Sequence, residues 1–472
     1  MRVLLIASEC APIAKVGGLA DVVGALPKAL KSLRVNVSVA LPFYEAIKIK
    51  KKKLELVKRN IPVVFNQQKE NFNLWKTYLP NSKVPLFLIE NNKYFSGKGV
   101  YVESDASSGG SEKEAARFLF LSVAGIEIGK LIKADILHCQ DWHTAITPFL
   151  IKKQGDKIKT LLTIHNLGYQ GIYPAKIVNK LLGTNLPGKK INCLKLGILN
   201  ADFINTVSPS YALEILTPKY GFGLHRYLKK RKKHLVGILN GLDYDLFNPT
   251  TDSFLKKKYS WKNVRHKAIN KAFLQKKCFK KVNQEIPILG IVSRLAEQKG
   301  IDLIKGIFSS LMKMNLQFIL LGKGSPAYER FFQKVSKRFS QKCYVKIAFD
   351  EKLAHQIYGG ADIFLMPSDF EPCGLGQQIA MKYGTVPVAR AVGGIKDTVL
   401  PVIKQNKKKI KGTGFLFKRY KKEDLLKTIQ KALSFYEKKE LWKQIQINGM
   451  KQDFTWRKSA KKYKALYQKL LK

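Results

Sequence analysis

Strand-like apolar runs alternate with helical patterns along nearly the whole 472-residue chain. This alternation is typical of βαβ units, in which neighbouring strands run parallel and helices cover the sheet. The alternation stops after Asn240 and resumes at Ile286. The chain is therefore predicted to be an α/β protein with two tandem doubly wound, Rossmann-like domains.

The segment between the two halves gives the predicted domain boundaries. Residues 245–282 are rich in Lys, Asn and aromatic residues, contain the stop signal Asn248-Pro249 and show no strand pattern. We expect an N-terminal domain over 1–245, an interdomain linker over 246–282 and a C-terminal domain over 283–455. Ligands of doubly wound domains bind at the carboxyl ends of the strands, so the tandem arrangement predicts an interdomain cleft.

The end of the chain has the pattern of a basic amphipathic helix over 456–472. One face carries Tyr463, Leu466, Leu470 and Leu471. Such a helix either stabilises the surface of the domain it follows or packs back on the N-terminal domain, and the pattern leaves both interpretations open.

The composition, with 45% hydrophobic and 25% charged residues, is that of a soluble globular protein. No apolar run reaches the roughly 18 residues that a membrane span requires. The first strand is predicted to start at once, and we therefore expect no signal peptide. The six cysteines lie far apart without a CxxC pair, so neither a disulfide framework nor a zinc site is indicated. We expect a cytosolic protein with reduced thiols and no metal.

The formal charge of +51 arises from 85 basic and 34 acidic residues. A specific nucleic-acid reader concentrates its basic residues in a motif, whereas here Lys is spread along the chain. One interpretation is that the lysines lie on a solvated surface and that the coding bias of the lineage favours Lys. The other is weak attraction to polyanions or acidic partners.

A glycine-containing loop, Lys15 to Asp21 (KVGGLAD), follows the first strand and opens a helix. Two glycines at a helix start let backbone N–H groups approach an anion, and Lys15 has the charge to neutralise a phosphate. The loop lacks the GxGxxG and GxxxxGK[ST] patterns, so neither a dinucleotide fingerprint nor a Walker loop is present. Close packing of the turn is the alternative role of Gly17 and Gly18.

Two further motifs lie in the second half. Arg294 and Lys299 stand five residues apart in a loop that enters a helix, a spacing that suits a diphosphate clamp. A solvated loop is the alternative.

Glu371 precedes a proline and a glycine-rich helix entry, which places a carboxylate beside backbone donors suited to sugar hydroxyls and phosphate. Cys373 has no His in the same segment, and this favours a pocket-lining role over a nucleophile.

In the first half, polar residues end two neighbouring strands: His138 and Asp141 to His143 end one strand, and His165 with Asn166 ends the other. Several His and an Asp in such loops raise the possibility of a metal site. The spacing matches no zinc template, and hydrogen bonds to a substrate are the more economical role.

Taken together, these motifs resemble the bacterial glycogen synthases and plant starch synthases, which are retaining glucosyltransferases with two Rossmann-like domains (GT-B type). The resemblance covers essentially the whole chain in order. The matching stretches are Ser8 to Asp21, His138 to His143, Thr163 to Gly171, Val207 to Tyr211, Gly237 to Asp243, Ser293 to Gly300, Gly359 to Gly374 and Gly393 to Val399.

The resemblance implies roles for residues of the second half. Arg294 and Lys299 would bind the diphosphate of a nucleotide sugar, and Glu371 would hold the glucosyl hydroxyls. Cys373, Gly374, Leu375 and Gly376 would lie nearby. The family commonly has Thr at the position of Gly376, so one side-chain contact to phosphate is absent while the backbone contact remains.

It also implies roles for the first half. His165 would face the reacting carbon, and Asp141 and Asn166 would line the same pocket. Lys15, Gly17 and Gly18 would help to bind the diphosphate, with Asp21 close to the nucleotide.

The resemblance implies transfer of glucose from ADP-glucose, or sometimes UDP-glucose, to the non-reducing end of an α-1,4-glucan, without metal or other cofactor. The family retains the configuration of the sugar, and no nucleophilic residue is evident. The acceptor hydroxyl is therefore expected to attack the same face of the sugar from which the diphosphate departs. Glu371 as a nucleophile is disfavoured because no second carboxylate is placed to act as acid. A non-catalytic glucan-binding relative and a polyanion-binding protein remain as alternatives.

Overall fold

The computed structural model describes residues 1–49, 53–97, 99–101, 111–406 and 409–472. The chain divides into two compact units. Unit 1 comprises Met1–Gly241 and Trp456–Lys472, and unit 2 comprises Leu242–Thr455.

The strands of unit 1 are β1 (Arg2–Ile6), β2 (Asn36–Pro42), β3 (Glu55–Phe65), β4 (Gln68–Tyr78), β5 (Pro85–Glu90), β6 (Ile136–Gln140), β7 (Lys159–Ile164), β8 (Ile172–Pro174), β9 (Lys190–Asn192), β10 (Phe203–Thr206) and β11 (Leu235–Gly237). Its helices are α1 (Gly18–Ser32), α2 (Asn92–Phe95), α3 (Glu112–Leu131), α4 (Thr147–Gln154), α5 (Ala175–Leu182), α6 (Cys193–Asn200), α7 (Pro209–Glu214), α8 (His225–Lys230) and, from the end of the chain, α17 (Trp456–Leu470).

In the described part of unit 1, nine strands form one sheet in the order β11-β10-β7-β6-β1-β2-β5-β4-β3. The central strands pair in parallel and are buried almost throughout, because helices cover both of their faces. The edge is different: β3 and β4 form an antiparallel hairpin, and β4 pairs antiparallel with β5. The parallel sheet of the first half is confirmed, and the hairpin is an addition to it.

The strands of unit 2 are β12 (Ile288–Val292), β13 (Gln317–Leu321), β14 (Cys343–Lys346), β15 (Ile363–Met366), β16 (Val386–Arg390), β17 (Ile403–Lys404), β18 (Ile410–Lys411) and β19 (Phe415–Phe417). Its helices are α9 (Lys267–Phe279), α10 (Ile301–Lys313), α11 (Pro326–Arg338), α12 (Glu351–Gly360), α13 (Gly376–Lys382), α14 (Gly393–Thr398), α15 (Lys422–Tyr436) and α16 (Lys439–Met450). Six of the described strands form a parallel sheet in the order β14-β13-β12-β15-β16-β19.

Residues 246–282, which the sequence analysis treated as a linker, belong to unit 2 by their contacts. Tyr259 is buried there and donates a hydrogen bond to the backbone oxygen of Tyr383 at 2.7 Å. Helix α9 packs against α12 and buries Leu274. The segment lacks strands because it contributes helices and turns to one side of this unit.

Helix α17 returns the end of the chain to unit 1, where it packs against α1. Tyr463 and Tyr467 are fully buried, and the Tyr467 hydroxyl lies 2.8 Å from Nδ1 of His138. Leu466 and Leu470 are buried as the amphipathic pattern predicts, whereas Leu471 lies beyond the helix and is exposed. Because His138 lies on β6, its hydrogen bond with Tyr467 connects this helix to the sheet.

Candidate active site

The candidate residues of unit 1 lie at the carboxyl ends of three adjacent parallel strands, β7, β6 and β1. The loop from β1 into α1 carries Lys15 and Gly17, Gly18 is the first residue of α1, and Asp21 lies in the first turn of that helix. Asp141 follows β6, and His165 and Asn166 follow β7. Parallel pairing brings these loops to one edge of the sheet, as the sequence analysis expected.

The glycine loop of unit 1 is occupied by an internal carboxylate. Oε2 of Glu9, a buried residue, accepts hydrogen bonds from the N–H groups of Val16 at 2.8 Å and Gly17 at 2.7 Å. Tyr101 donates to the other oxygen of Glu9 at 2.7 Å. The loop therefore binds an oxygen anion, and the N–H group of Gly17, which was expected to face a phosphate, holds Glu9 instead, together with that of Val16.

Lys15 and Asp21 form an ion pair of 2.6 Å across this loop, and both side chains are partly exposed. Sequence reasoning did not single out Glu9. The signal in the sequence that could have identified Glu9 is an acidic residue placed directly after a buried strand and before the glycines.

Asp141 is a buried carboxyl group in the left-handed backbone region, with φ of 59°. Its Oδ1 has no hydrogen-bond partner among the described residues. Burial raises the pKa of Asp141 to about 8, while the nearby backbone N–H groups of His165, Trp142 and Asn166 favour the charged form. A buried carboxyl group with a raised pKa and one oxygen without a partner is typical of functional sites.

Substitution of Asp141 by Asn is expected to stabilise the protein increasingly as the pH rises from about 4 to 8. Across this window the unfolded state releases a proton that the folded wild type retains, so the wild-type free energy of unfolding falls as pH rises. Asn cannot ionise and tolerates a positive φ. Thermal melting of both proteins between about pH 5 and pH 9 checks this. A difference in melting temperature that does not change with pH contradicts the assignment.

His165 is a neutral imidazole at physiological pH, because burial lowers its pKa to about 3. Its Nε2 lies 2.9 Å from Oε1 of Gln140, which fixes the ring by a hydrogen bond. Oδ1 of Asn166 accepts from the N–H of Gly168 at 3.0 Å. A neutral imidazole in this position is suited to hydrogen bonding with a sugar rather than to carrying a charge.

The candidate residues of unit 2 also lie at the carboxyl edge of a parallel sheet. Nζ of Lys299 contacts both carboxylate oxygens of Glu371, at 2.9 and 2.7 Å. Ser368 donates to Glu371 Oε2 at 3.0 Å. Two residues 72 positions apart, which the sequence analysis assigned separately, therefore meet in one partly buried ion pair.

The loop that carries Arg294 and Lys299 is held close to the loop that follows β15. At Gly300, with φ of 67°, a Cβ atom would approach the backbone oxygen of Pro367 to 2.1 Å, so only glycine fits there. The N–H of Asp369 donates to the oxygen of Gln298 at 2.9 Å. Arg294 is exposed, and its guanidinium lies 3.4 Å from Oε1 of Gln298. The structure thus offers one exposed cation beside one that is paired with a carboxylate.

The residues after Glu371 form the entry into α13. Gly374 adopts φ of 70°, Leu375 precedes the helix, and Gly376 is its first residue, where backbone N–H groups lack partners inside the helix. Cys373 is buried, and its sulfur lies 3.7 Å from Nε2 of Gln378. A buried thiol with this contact fits the lining role expected for it.

Two residues at this edge of unit 2 were not found from the sequence. Arg390, at the end of β16, is buried and donates to the backbone oxygen of Ser368 at 3.2 Å, which positions the loop before Glu371. Phe349, three residues after β14, is 87% exposed. Exposure of an aromatic ring follows from packing and leaves no signal in the sequence.

Within the described ranges, no group of three or more His, Cys, Asp or Glu residues is arranged to hold a metal ion. None of the helices described is both long and apolar enough to cross a bilayer.

Comparison with known proteins gives matches to both halves of the chain. Residues 2–230 match the starch synthase catalytic domain family, and residues 275–468 match the family of glycosyl transferases group 1. The glycogen synthase of Thermosipho africanus is 41% identical over 491 residues, covering 100% of this chain and 99% of that protein. The glycogen synthase of Kosmotoga olearia is also 41% identical, covering 100% and 98%.

Among solved structures, the catalytic domain of starch synthase IV from Arabidopsis thaliana, bound to ADP and acarbose, matches with a TM-score of 0.89 and 32% identity. The match covers 100% of this chain and 99% of that one. The expected two-domain glycosyltransferase fold is thereby confirmed. With both family matches and full-length relatives in agreement, this chain belongs to the glycogen and starch synthase family of glucosyltransferases.

Proposed function

We propose that this protein transfers glucose from ADP-glucose or UDP-glucose to the non-reducing end of an α-1,4-glucan in the cytosol, with retention of configuration. The observation that carries the proposal is the Lys299–Glu371 ion pair beside the exposed Arg294. These groups combine fixed positive charge with a carboxylate at one edge of a sheet. A nucleoside diphosphate sugar presents the complementary pair, an anionic diphosphate and a ring of hydroxyl groups.

The two cations stabilise the leaving group. Departure of a nucleoside diphosphate develops negative charge on the phosphate oxygens, and a fixed cation stabilises this charge more than it stabilises the ground state. Arg294 offers a planar fork that suits two phosphate oxygens, and Lys299 acts as a point charge. The N–H groups of Leu375 and Gly376 add donors at the start of α13.

Glu371 holds the glucosyl hydroxyls rather than attacking the sugar. Its carboxylate is buried and already accepts hydrogen bonds from Lys299 and Ser368. These contacts stabilise its charge and lower its nucleophilicity, while a carboxylate retains further acceptor sites for sugar hydroxyls. The reaction then proceeds by attack of the acceptor hydroxyl on the face from which the diphosphate departs.

The residues of unit 1 act on the sugar and the acceptor. The neutral His165 offers hydrogen bonds without placing a positive charge next to a ring that becomes positive in the transition state. Asp141 and Asn166 provide polar groups in the same loops. Lys15 and the loop at Gly17 and Gly18 contribute to the phosphate side, with Asp21 paired to Lys15.

Phe349 stacks on the nucleotide base in this proposal, because it presents an almost fully exposed ring after β14. We expect Phe349→Ala to raise the donor KM about tenfold with a smaller effect on kcat, since one base–aromatic stack is lost. Steady-state kinetics in the donor check this, with Phe273→Ala, an exposed Phe on α9, as the control. An unchanged donor KM excludes Phe349 from base binding.

The experiment that tests the function is incubation with each radiolabelled sugar nucleotide and a short maltooligosaccharide, followed by sizing of the product. Elongation by single glucose units supports the proposal. Glucan binding without elongation supports the non-catalytic alternative. Nucleic-acid binding that weakens steeply with salt, in the absence of both elongation and glucan binding, supports the polyanion-binding alternative.

A further inference from the structure

Tyr420 is a partly buried residue of unit 2, three positions after the end of β19. The sheet order places β19 beside β16, β16 beside β15 and β15 beside β12. These four strands pair in parallel, so their carboxyl ends form one edge of the sheet. Tyr420 therefore lies at the same edge as the loops that carry Lys299 and Glu371.

The hydroxyl group of Tyr420 contacts the segment that carries Lys299. It donates to Oδ1 of Asp302, in the first turn of α10, and lies 3.4 Å from the backbone oxygen of Glu297. Glu297 begins the short 3-10 turn that ends at Lys299, and its backbone oxygen also accepts from the N–H of Gly300 at 2.8 Å. One hydroxyl group thus contacts the chain on both sides of Lys299.

The ring of Tyr420 contacts the residue that holds the loop before Glu371. The guanidinium carbon of Arg390 lies 5.3 Å from the centroid of this ring, within the range of a cation–π contact. Arg390 is buried and donates to the backbone oxygens of Ser368, at 3.2 Å, and Asp369. The hydroxyl of Ser368 in turn donates to Glu371. The ring therefore supports the carboxylate of the same site.

Packing accounts for the ring of Tyr420 but not for its hydroxyl group. The ring lies against the apolar core of unit 2, a contact that Phe would make equally well. Burial and the hydrogen bond to Asp302 raise the pKa of Tyr420 above the ordinary value of a tyrosine. The hydroxyl group therefore keeps its proton at physiological pH and acts as a donor to the segment around Lys299.

We propose that Tyr420 is a positioning residue, which holds loop 294–300 and the loop before Glu371 in the register that glucosyl transfer requires. The inference rests on the proposed function for the identity of the reaction. Fixed cations stabilise a departing diphosphate only where they lie within hydrogen-bonding distance of the oxygens that become charged. Tyr420 acts through Lys299 and Glu371 and requires no contact of its own with the substrate.

The test compares Tyr420→Phe with the control Tyr344→Phe, whose partly buried tyrosine lies on β14 at the opposite edge of the sheet. Tyr420→Phe keeps the ring against Arg390 and removes the hydroxyl group alone. We expect it to lower kcat about fivefold to tenfold and to weaken ADP binding, measured by calorimetry, about threefold. KM for the glucan should not change, and the melting temperature should fall by no more than about 4 °C. Tyr344→Phe should change none of these quantities.

Variants at Asp302 separate positioning from general structural support. Asp302→Ala removes the acceptor of the Tyr420 hydroxyl and should lower kcat by the same factor as Tyr420→Phe. Asp302→Asn keeps an acceptor oxygen and should stay within about twofold of the wild type. The double variant Tyr420→Phe with Asp302→Ala should lose less than about twofold more than either single variant, because both changes remove the same hydrogen bond.

Wild-type kcat and ADP affinity in Tyr420→Phe overturn the inference. An equal loss in Tyr344→Phe, or a loss in the double variant that is the product of the two single losses, overturns it as well. If the wild type transfers no glucose but Tyr420→Phe weakens ADP binding and Tyr344→Phe does not, the proposed transfer activity fails and the positioning of loop 294–300 by Tyr420 stands.

Discussion

Lys299→Ala is expected to lower kcat by about a hundredfold or more, the effect of removing a charge-assisted contact to a leaving group. The ammonium group of Lys299 lies 2.7 and 2.9 Å from the two oxygens of Glu371. Its removal therefore also leaves a buried carboxylate whose remaining side-chain donor, among the residues that the structure describes, is Ser368. We expect a measurable loss of stability in this variant, because a buried charge has lost its partner.

Two companion variants separate the loss of activity from the loss of stability. Arg294→Ala removes the other cation of this loop and should lower kcat by a similar factor of about a hundred. Because Arg294 is exposed, the melting temperature should not change. Lys313→Ala, an exposed lysine in the last turn of α10, should change neither quantity. Near-normal kcat in Lys299→Ala or Arg294→Ala, with the fold intact, would contradict the assignment of this loop to the diphosphate.

Glu371→Gln is expected to be impaired but active, and more active than Glu371→Ala. The amide keeps one acceptor oxygen and nearly the same shape, so it still receives hydrogen bonds from Lys299 and Ser368 and still contacts a sugar hydroxyl. In Glu371→Ala the ammonium group and the serine lose their acceptor and the sugar is unheld, so a loss of about a thousandfold or more is expected. If Glu371 were the nucleophile, its replacement by Gln would abolish the activity.

The measurement is steady-state kinetics on both variants, together with intact-protein mass spectrometry of the wild type mixed with donor alone. No covalent glucosyl adduct should form. Detection of a glucosyl mass increment that maps to Glu371 would favour double displacement and overturn the sugar-holding role. Equal inactivity of the Gln and Ala variants would point in the same direction.

The central strands could be predicted from the sequence, and the edge hairpin could not. β2 and β5 have the predicted bounds because a strand buried on both faces is a continuous apolar run. β3 buries only Ile61, Val63 and Phe65 in alternation, and the rest of the strand is exposed or partly buried and mixes polar with apolar residues. The hairpin turn at 66–67 has positive φ at both residues but is Asn-Gln, which hides the usual Asn-Gly signal.

Part of the candidate site could be predicted because the chemistry of its loops is local. The Arg294 to Gly300 loop and the Glu371 to Gly376 entry each follow a predicted strand, and parallel strands bring their carboxyl ends to one edge. Glu9 was missed because its place in the site depends on hydrogen bonds from backbone groups seven and eight residues away.

The sequence by itself determined the fold class, the family, and the residue types that can bind a diphosphate and a sugar. These follow from hydrophobic periodicity and short motifs, which act over a few residues. Tertiary structure decided that Lys299 pairs with Glu371, that Glu9 fills the glycine loop, and that α17 returns to unit 1. Those outcomes depend on strand order and side-chain packing across tens to hundreds of residues, where local pattern carries no information about which groups meet.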